Sequence, residues 1–484
     1  MKADLVIKNG YVCTETEMIF GGIAIKDGII VMIGPDAILP EAEEVYDAKE
    51  NYIFPGVVEP HCHLGSDNPE FEDGKWARDI YSESRTAAQG GITTIHSTVK
   101  NYTLPMDERM DIAAEALEGG RAYADFKFYV QPFSEQNLNE IDACVEKHGT
   151  GCYKFLLGYR GKAAERMGMP ASGCDTGMMY KGFSKVASVG GVAMVHCEDP
   201  AVSEVTAAKV KQEVPDGNYN YLEAFNRSQP SICESIDLAK SAYVANEVGC
   251  PLYVVHISAE ETVDDLEYFK KQKAFDITGE TCLHYLIFNC DEKRAYTDWK
   301  WVRNAKVNPP IREKSDQDRL WRGINDGIIT QLGTDHVNYN EQTKFGGDFW
   351  STRVGTGDGM SSSLTMMLSE GVNKNKCSLE TVRKIMCENN AKALGLYPKK
   401  GHLAVGADAD VVIIDLQKKW TLKADEMEST HCGSLYDGRE VTGGPVATFL
   451  RGKLVAENYK IVAEEGTGEE IKFYQKRRLT RDYR

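Results

Sequence analysis

The sequence lacks what would place it in most specialised classes. No stretch reaches the eighteen or so consecutive apolar residues that a membrane-spanning helix needs. The opening MKADLVIKNG has only a short apolar run before Lys8. Neither a membrane helix nor a secretory leader is therefore expected, and a cytoplasmic location is. Positive charge is also short: 56 Lys and Arg stand against 73 Asp and Glu, for a formal net charge of −17. That balance repels phosphate backbones and anionic headgroups, so no nucleic acid and no membrane surface is expected as a partner, whereas a small neutral molecule is accepted readily. Cysteine is present, 13 residues in all, but in an odd number and without a single C-x-x-C pair. A disulfide framework and a thiolate zinc site are both disfavoured, and reduced, mostly buried thiols are expected. Low-complexity tracts and short internal repeats are absent too.

What is present is ordinary globular composition, 42% hydrophobic and 27% charged over 484 residues, long enough for one large unit and a minor one. The first fifty residues read as short strands, LVIKNGYV and GGIAIKDGIIVMIG, with Asn9-Gly10 and Asp27-Gly28 as hairpin signals. A similar texture returns in DADVVIIDL, GPVATFLRGKLV and ENYKIVAEE. Two β-rich ends flanking a long middle predict one small β-sandwich built from both. In the middle, eight apolar runs alternate with amphipathic stretches: IFPGVVEPHCHL, GITTIHSTV, FKFYVQP, CYKFLLGY, GVAMVHCED, PLYVVHIS, AFDITGETC and IITQLGTDH. Repeated βα units imply a parallel sheet, and eight is the number that closes a barrel. The expected architecture is an α/β chain: a (β/α)₈ TIM barrel over 55–395, a β-sandwich from 1–54 and 396–465, and a tail over 466–484. The long segment from Glu198 to Pro230 is expected to add helix and loop over the barrel mouth.

In such a barrel the chemistry sits where the strands end. The first run ends in His61-Cys62-His63, and strand alternation sends both imidazoles to one face, about 7 Å apart along the backbone. Alone, an H-x-H is equally a pair of core or surface histidines. The fourth run holds Lys154, the fifth His196, the sixth His256 and the eighth Asp335, at spacings of roughly 30–40 residues per unit that bring all of them to one rim. Read singly, each histidine is a satisfied core residue; read jointly, at the ends of strands, they are a ligand set.

The strings PGVVEPHCHL, CYKFLLGY, MVHCE, VVHIS, GETCLHYL, VNPPIR and GTDH resemble, in this order, the cyclic amidohydrolases, and within them the hydantoinases and dihydropyrimidinases, with allantoinases and dihydroorotases as near relatives. The resemblance runs through almost the whole chain, to GADADVVIID. It implies hydrolysis of a cyclic amide, a hydantoin or dihydropyrimidine ring opened to an N-carbamoyl amino acid. It implies two divalent metal ions, usually Zn²⁺, about 3.5–4 Å apart and sharing a hydroxide. Lys154, carbamylated by CO₂, would bridge them; His61, His63 and Asp335 would hold one and His196 and His256 the other. Asp335 would carry the proton from nucleophile to leaving nitrogen, and Tyr159 would donate to the developing oxyanion. Asn308 would meet the substrate ring through its main chain, the plainer reading being an Asn-Pro turn. The family also implies a homo-oligomer, a tetramer or a dimer.

Several positions depart from the family pattern. Glu59 stands where many relatives have aspartate, His96 where an acidic residue is common, and VGTGDGM over 354–360 replaces a signature that contacts substrate. His284 reads as a packing histidine or a substrate contact. Gly65 occupies the place where dihydroorotases carry the arginine that binds the substrate carboxylate, so dihydroorotate is expected to be a poor substrate. The acidic residues Asp67, Glu70, Glu72 and Asp73 would repel an anion further, and Arg160, Lys162 and Arg166 would attract one if any pointed inward. Two rival readings are a non-catalytic dihydropyrimidinase-related scaffold, which sheds metal ligands, and a one-metal deaminase, which has no bridging lysine. All six ligand positions are filled here, against both.

Overall fold

A computed structural model describes residues 2–65, 75–99, 104–166, 169–214, 219–272 and 276–477. Each of the eight apolar runs contains one strand of a parallel array. Five of these strands, Cys152–Leu156, Val192–His196, Leu252–Val254, Ile277–Cys282 and Gln331–Gly333, form one sheet. The other three, Val57–His63, Ile92–Thr98 and Asp125–Tyr129, form a second sheet with the two-residue strand His336–Val337. The sheets touch at two seams. Val130 bridges Tyr153 in parallel, and the chain leaving Gly333 passes through Thr334 and Asp335 to pair His336 with Cys62. The strands are buried along their length, as near-continuous apolar runs require when both faces are covered. Helices such as Lys75–Gln89, Met106–Glu115 and Ile232–Val248 occupy the intervals expected to be helical. The long segment after the fifth run supplies helices Pro200–Glu213 and Tyr221–Ser228.

Both ends of the chain enter a single nine-stranded mixed sheet. Its central seam pairs Tyr52–Pro55 with Val411–Thr421, antiparallel. The sheet curls, because the Tyr46 and Phe449 rings, four strands apart along it, meet edge to face at 5.1 Å. Ile7, Ile23, Ile53, Val411 and Ile413 fill the concave side. Asp27-Gly28 makes the expected hairpin, with φ of 51° and 76°. Asn9-Gly10 does not. It lies inside strand Ala3–Cys13, where the register slips between Ile7 and Gly10. Asn9 takes φ 56° there, and a Cβ on Gly10 would come within 2.8 Å of the Asn51 carbonyl oxygen. The dipeptide serves a bulge against a neighbouring loop.

A buried ion cluster joins this sheet to the parallel strands. The Lys400 ammonium donates to Asp125 at 2.6 Å and Asp410 at 2.8 Å and lies 2.9 Å from Asp408. These three carboxylates are grouped closely enough to hold a cation, and that cation is the lysine. The tail from Gly466 to Arg477 lies on its own chain. The Phe126 amide donates to Glu469 O at 2.9 Å and the Ile471 amide to Phe126 O at 2.7 Å. The buried Lys127 ammonium donates to Ile471 O at 3.3 Å and Phe473 O at 2.8 Å. A segment poor in apolar side chains is thus held through its backbone. None of the 13 cysteines, all among the described residues, forms a disulfide, and only Cys174 and Cys432 are partly exposed; no described helix is long and apolar enough to cross a membrane.

Candidate active site

His61 and His63 leave strand Val57–His63 on one face, as period-two alternation requires, while Cys62 turns away and is fully buried. The Asp335 carboxylate faces both, 2.9 Å from His63 Nε2 and 3.4 Å from His61 Nε2. One atom from each of these three residues lies within 4.8 Å of the others. Lys154, one residue into the strand beyond Tyr153, brings Nζ to 2.7 Å from His61 Nε2. His196 Nδ1 and His256 Nε2 converge to 2.8 Å. One pocket is lined by His63, Lys154, His196, His256, Asp335, Tyr159 and Asn308, with His61 buried beneath it.

Two of these positions are strained. His256 has φ 43° and Asp335 φ 48°, left-handed conformations that cost non-glycine residues on the order of 1–3 kcal/mol and persist only where the surroundings impose them. The imposing contacts are visible. The Asp335 amide donates to His61 O at 3.0 Å. Glu59 accepts from the amides of His61 at 2.9 Å and Thr334 at 3.1 Å, clamping the two ligand-bearing strands together. Glu59, with the longer reach of a glutamate, therefore acts on backbone and not on a metal position.

Electrostatics favour ligand-competent forms. Burial pulls the His256 imidazole well below its ordinary range, with the positive potential of His196 and Lys154 adding to it, so it is neutral with a free lone pair. Burial pushes the Lys154 ammonium down to about 8, against the pull of Asp335 and Glu280. For Asp335, burial alone would raise the carboxyl, but His61 and His63 outweigh it and hold it well below the usual carboxylate range. Burial, then Glu198, keeps Tyr159 a phenol, a donor and not an anion. A neutral His256 imidazole, the Asp335 carboxylate and a lysine whose ammonium is pulled down are donor chemistry that suits divalent cations.

Four residues outside the sequence-derived set complete the surroundings. Glu280, fully buried, accepts from His61 Nδ1 at 3.0 Å, from the Tyr253 hydroxyl at 2.5 Å and from the His256 amide at 3.3 Å. That leaves His61 Nε2 directed at Lys154 and Asp335. Glu198 lies 3.3 Å from His196 Nε2 and accepts from the Asn308 side-chain amide. Tyr339 and Arg353 line the pocket. A carboxylate inside an otherwise apolar strand, as in GETC, was a readable sign for Glu280; the course of the loop carrying Arg353 had none.

The remaining expectations fall as follows. His96 is buried, its Nδ1 donating to Pro60 O at 2.8 Å, and burial pulls it down to about 3. His284 packs against Tyr285 with ring centroids 4.2 Å apart, outside the pocket lining. Arg160 turns outward to an exposed pair with Glu204, and Lys162 is exposed. Asp67, Glu70, Glu72 and Asp73 lie outside the described residues, as does the Arg166 side chain. Gly65 has φ 65°, and a Cβ there would stand 2.8 Å from the Trp76 ring, so backbone and packing explain the glycine. A different cation, Arg353, lines the pocket.

Comparison with known proteins agrees with this geometry. Residues 52–455 match the profile of the Amidohydrolase family. The L-hydantoinase of Paenarthrobacter aurescens is 32% identical over 471 residues, spanning 96% of this chain and 97% of that protein. The allantoinase of Bacillus licheniformis is 29% identical over 478 residues, 97% of this chain and 100% of its own. The solved structure of L-hydantoinase (dihydropyrimidinase) from Arthrobacter aurescens superposes with a TM-score of 0.85 at 30% identity, covering 96% of this chain and 99% of that one.

Proposed function

We propose that this chain, which belongs to the amidohydrolase family, is a hydrolase that opens a cyclic amide, a hydantoin or dihydropyrimidine ring, to an N-carbamoyl amino acid. The observation that carries the reading is the convergence of His61, His63, Lys154, His196, His256 and Asp335 at the ends of parallel strands, beside a pocket that also presents Tyr159 and Asn308. We read the two parallel sheets as one closed (β/α)₈ barrel.

His61, His63 and Asp335 would hold one divalent cation and His196 and His256 a second, with Lys154, as its carbamate, between them. Such cations supply positive charge that polarises the scissile carbonyl and acidifies water to near neutrality. The rest falls to the chain. Asp335, held ionised, takes a proton from the attacking water and returns it to the ring nitrogen, since an amide anion is too basic to leave unprotonated. Tyr159, held as a phenol, donates to the carbonyl oxygen as charge develops on it. Asn308, anchored through Glu198, meets the ring. Water adds across one C–N bond, giving a carboxylate and a carbamoyl nitrogen.

The relatives named for allantoin and hydantoin leave an allantoinase reading beside the first, with the same residues in the same roles. A panel of hydantoin, dihydrouracil, allantoin and dihydroorotate, assayed on metal-loaded protein for ureido product, tests the reading; no ring opened by fully loaded, folded protein overturns it. The subunit is read as part of a homo-oligomer, a tetramer or dimer, which light scattering tests.

A further inference from the structure

The pocket wall contains one charged group that the proposed ring opening does not use. Arg353 lines the same pocket as Asp335, Tyr159 and Asn308. Its side chain is exposed, and among the described residues no carboxylate lies within ion-pair distance of it. The other cationic side chain of the lining, Lys154, is committed to His61. The same lining presents apolar side chains, Leu156, Val337 and Val354, together with the polar Gln131, Asn308 and Tyr339.

The loop that presents Arg353 is pinned in an unusual way. The ammonium of Lys306, almost wholly buried, donates to the carbonyls of Phe349 at 2.9 Å, Trp350 at 3.1 Å and Thr352 at 2.6 Å. That of Lys344, fully buried, donates to the carbonyls of Lys306 at 3.3 Å, of Arg353 itself at 3.0 Å and of Gly355. Burying two ammonium groups costs several kcal/mol each unless their donors are satisfied, and here five of the six accepting carbonyls belong to the backbone of residues 349–355 around one arginine. The backbone on both sides of Arg353 is fixed while its guanidinium stays in water, the arrangement of a preorganised recognition group.

We propose that Arg353 sets the substrate class, by pairing with a carboxylate at the end of an apolar arm carried on the ring. The inference rests on the ring-opening reading above. Apolar lining from Leu156, Val337 and Val354 in the same pocket as one guanidinium suits a few methylenes ending in a monoanion. A planar fork binds a carboxylate through two parallel hydrogen bonds, and a single guanidinium matches one negative charge better than the two of a phosphate.

The test compares two substrates on metal-loaded enzyme: a hydantoin bearing a carboxyethyl arm and the same ring bearing the neutral carboxamide arm. The wild type is expected to prefer the acid in kcat/KM by about tenfold or more, mainly through KM, and to lose preference as salt rises. Arg353→Leu should abolish both the preference and its salt dependence, and Arg353→Lys should restore part of it. Arg353 being exposed, thermal melts serve only to check that the variants are folded. Equal kcat/KM for the two arms in the wild type, or a preference that survives Arg353→Leu, overturns the inference while leaving ring opening intact. If neither ring is opened, the ring-opening reading fails, and this inference with it.

Discussion

Replacing Glu280 by glutamine changes one oxygen to an amide nitrogen and should damage the site from beneath without touching a ligand. The carboxyl now receives four donors, His61 Nδ1 at 3.0 Å, the Tyr253 hydroxyl at 2.5 Å, the His256 amide at 3.3 Å and the Cys282 thiol at 3.8 Å, and is fully buried. Glutamine offers one acceptor oxygen and an NH₂ group that, turned toward Tyr253, can donate to its hydroxyl oxygen and leaves the hydroxyl proton without its acceptor. A donor left without its acceptor costs about 1–3 kcal/mol in a buried setting. If His61 answers by rotating or changing tautomer, its Nε2 lone pair no longer points at Lys154 and Asp335. Metal affinity should then fall by about 10–100-fold, the range found when a partner of a ligating histidine is removed. Competition against a chelator of known affinity measures this, with a melt of the metal-free protein separating lost affinity from lost fold. An affinity within about twofold of wild type would refute the claim that Glu280 orients His61.

Asp335→Asn should abolish turnover by removing the proton carrier, and Tyr159→Phe should lower kcat by roughly 10²–10³-fold, the loss of one oxyanion donor; near-normal kcat in either folded, metal-loaded variant rejects the role. Lys154→Ala should lose most activity and metal, with partial rescue by short carboxylic acids standing in for a carbamate; a variant as active as wild type removes the bridge. Gly65→Ala should cost about 1–2 kcal/mol for its left-handed backbone, beyond any shift of Trp76, which lies 2.8 Å from the new Cβ; an unchanged Tm contradicts the packing explanation.

What could be read in advance followed from local period and position. Apolar runs ending in His61, His196, His256 and Asp335 needed only strand alternation and the rule that barrel chemistry collects at strand ends. Features set by distant backbone were illegible. Asn9-Gly10 has the composition of a hairpin turn and is a bulge inside a strand, where the Asn51 carbonyl leaves no room for a side chain on Gly10. The tail gave no apolar pattern, because Lys127 and the Phe126 backbone hold it through carbonyls and amides that every sequence possesses. Arg353 carried no signal in the sequence, since the loop that presents it is held by carbonyl contacts of the distant Lys306 and Lys344. Gly65 carried a functional argument that its φ and the Trp76 ring explain without reference to substrate.

The central claim, that six converging side chains hold two cations which open a cyclic amide, is met most directly by titrating metal-free protein with Zn²⁺ in the presence of bicarbonate. Bound metal and ureido product are measured on the same samples. Activity rising with occupancy and levelling at two ions per subunit is the predicted result. Full activity at one ion or none, or no ring opening at two, would contradict it.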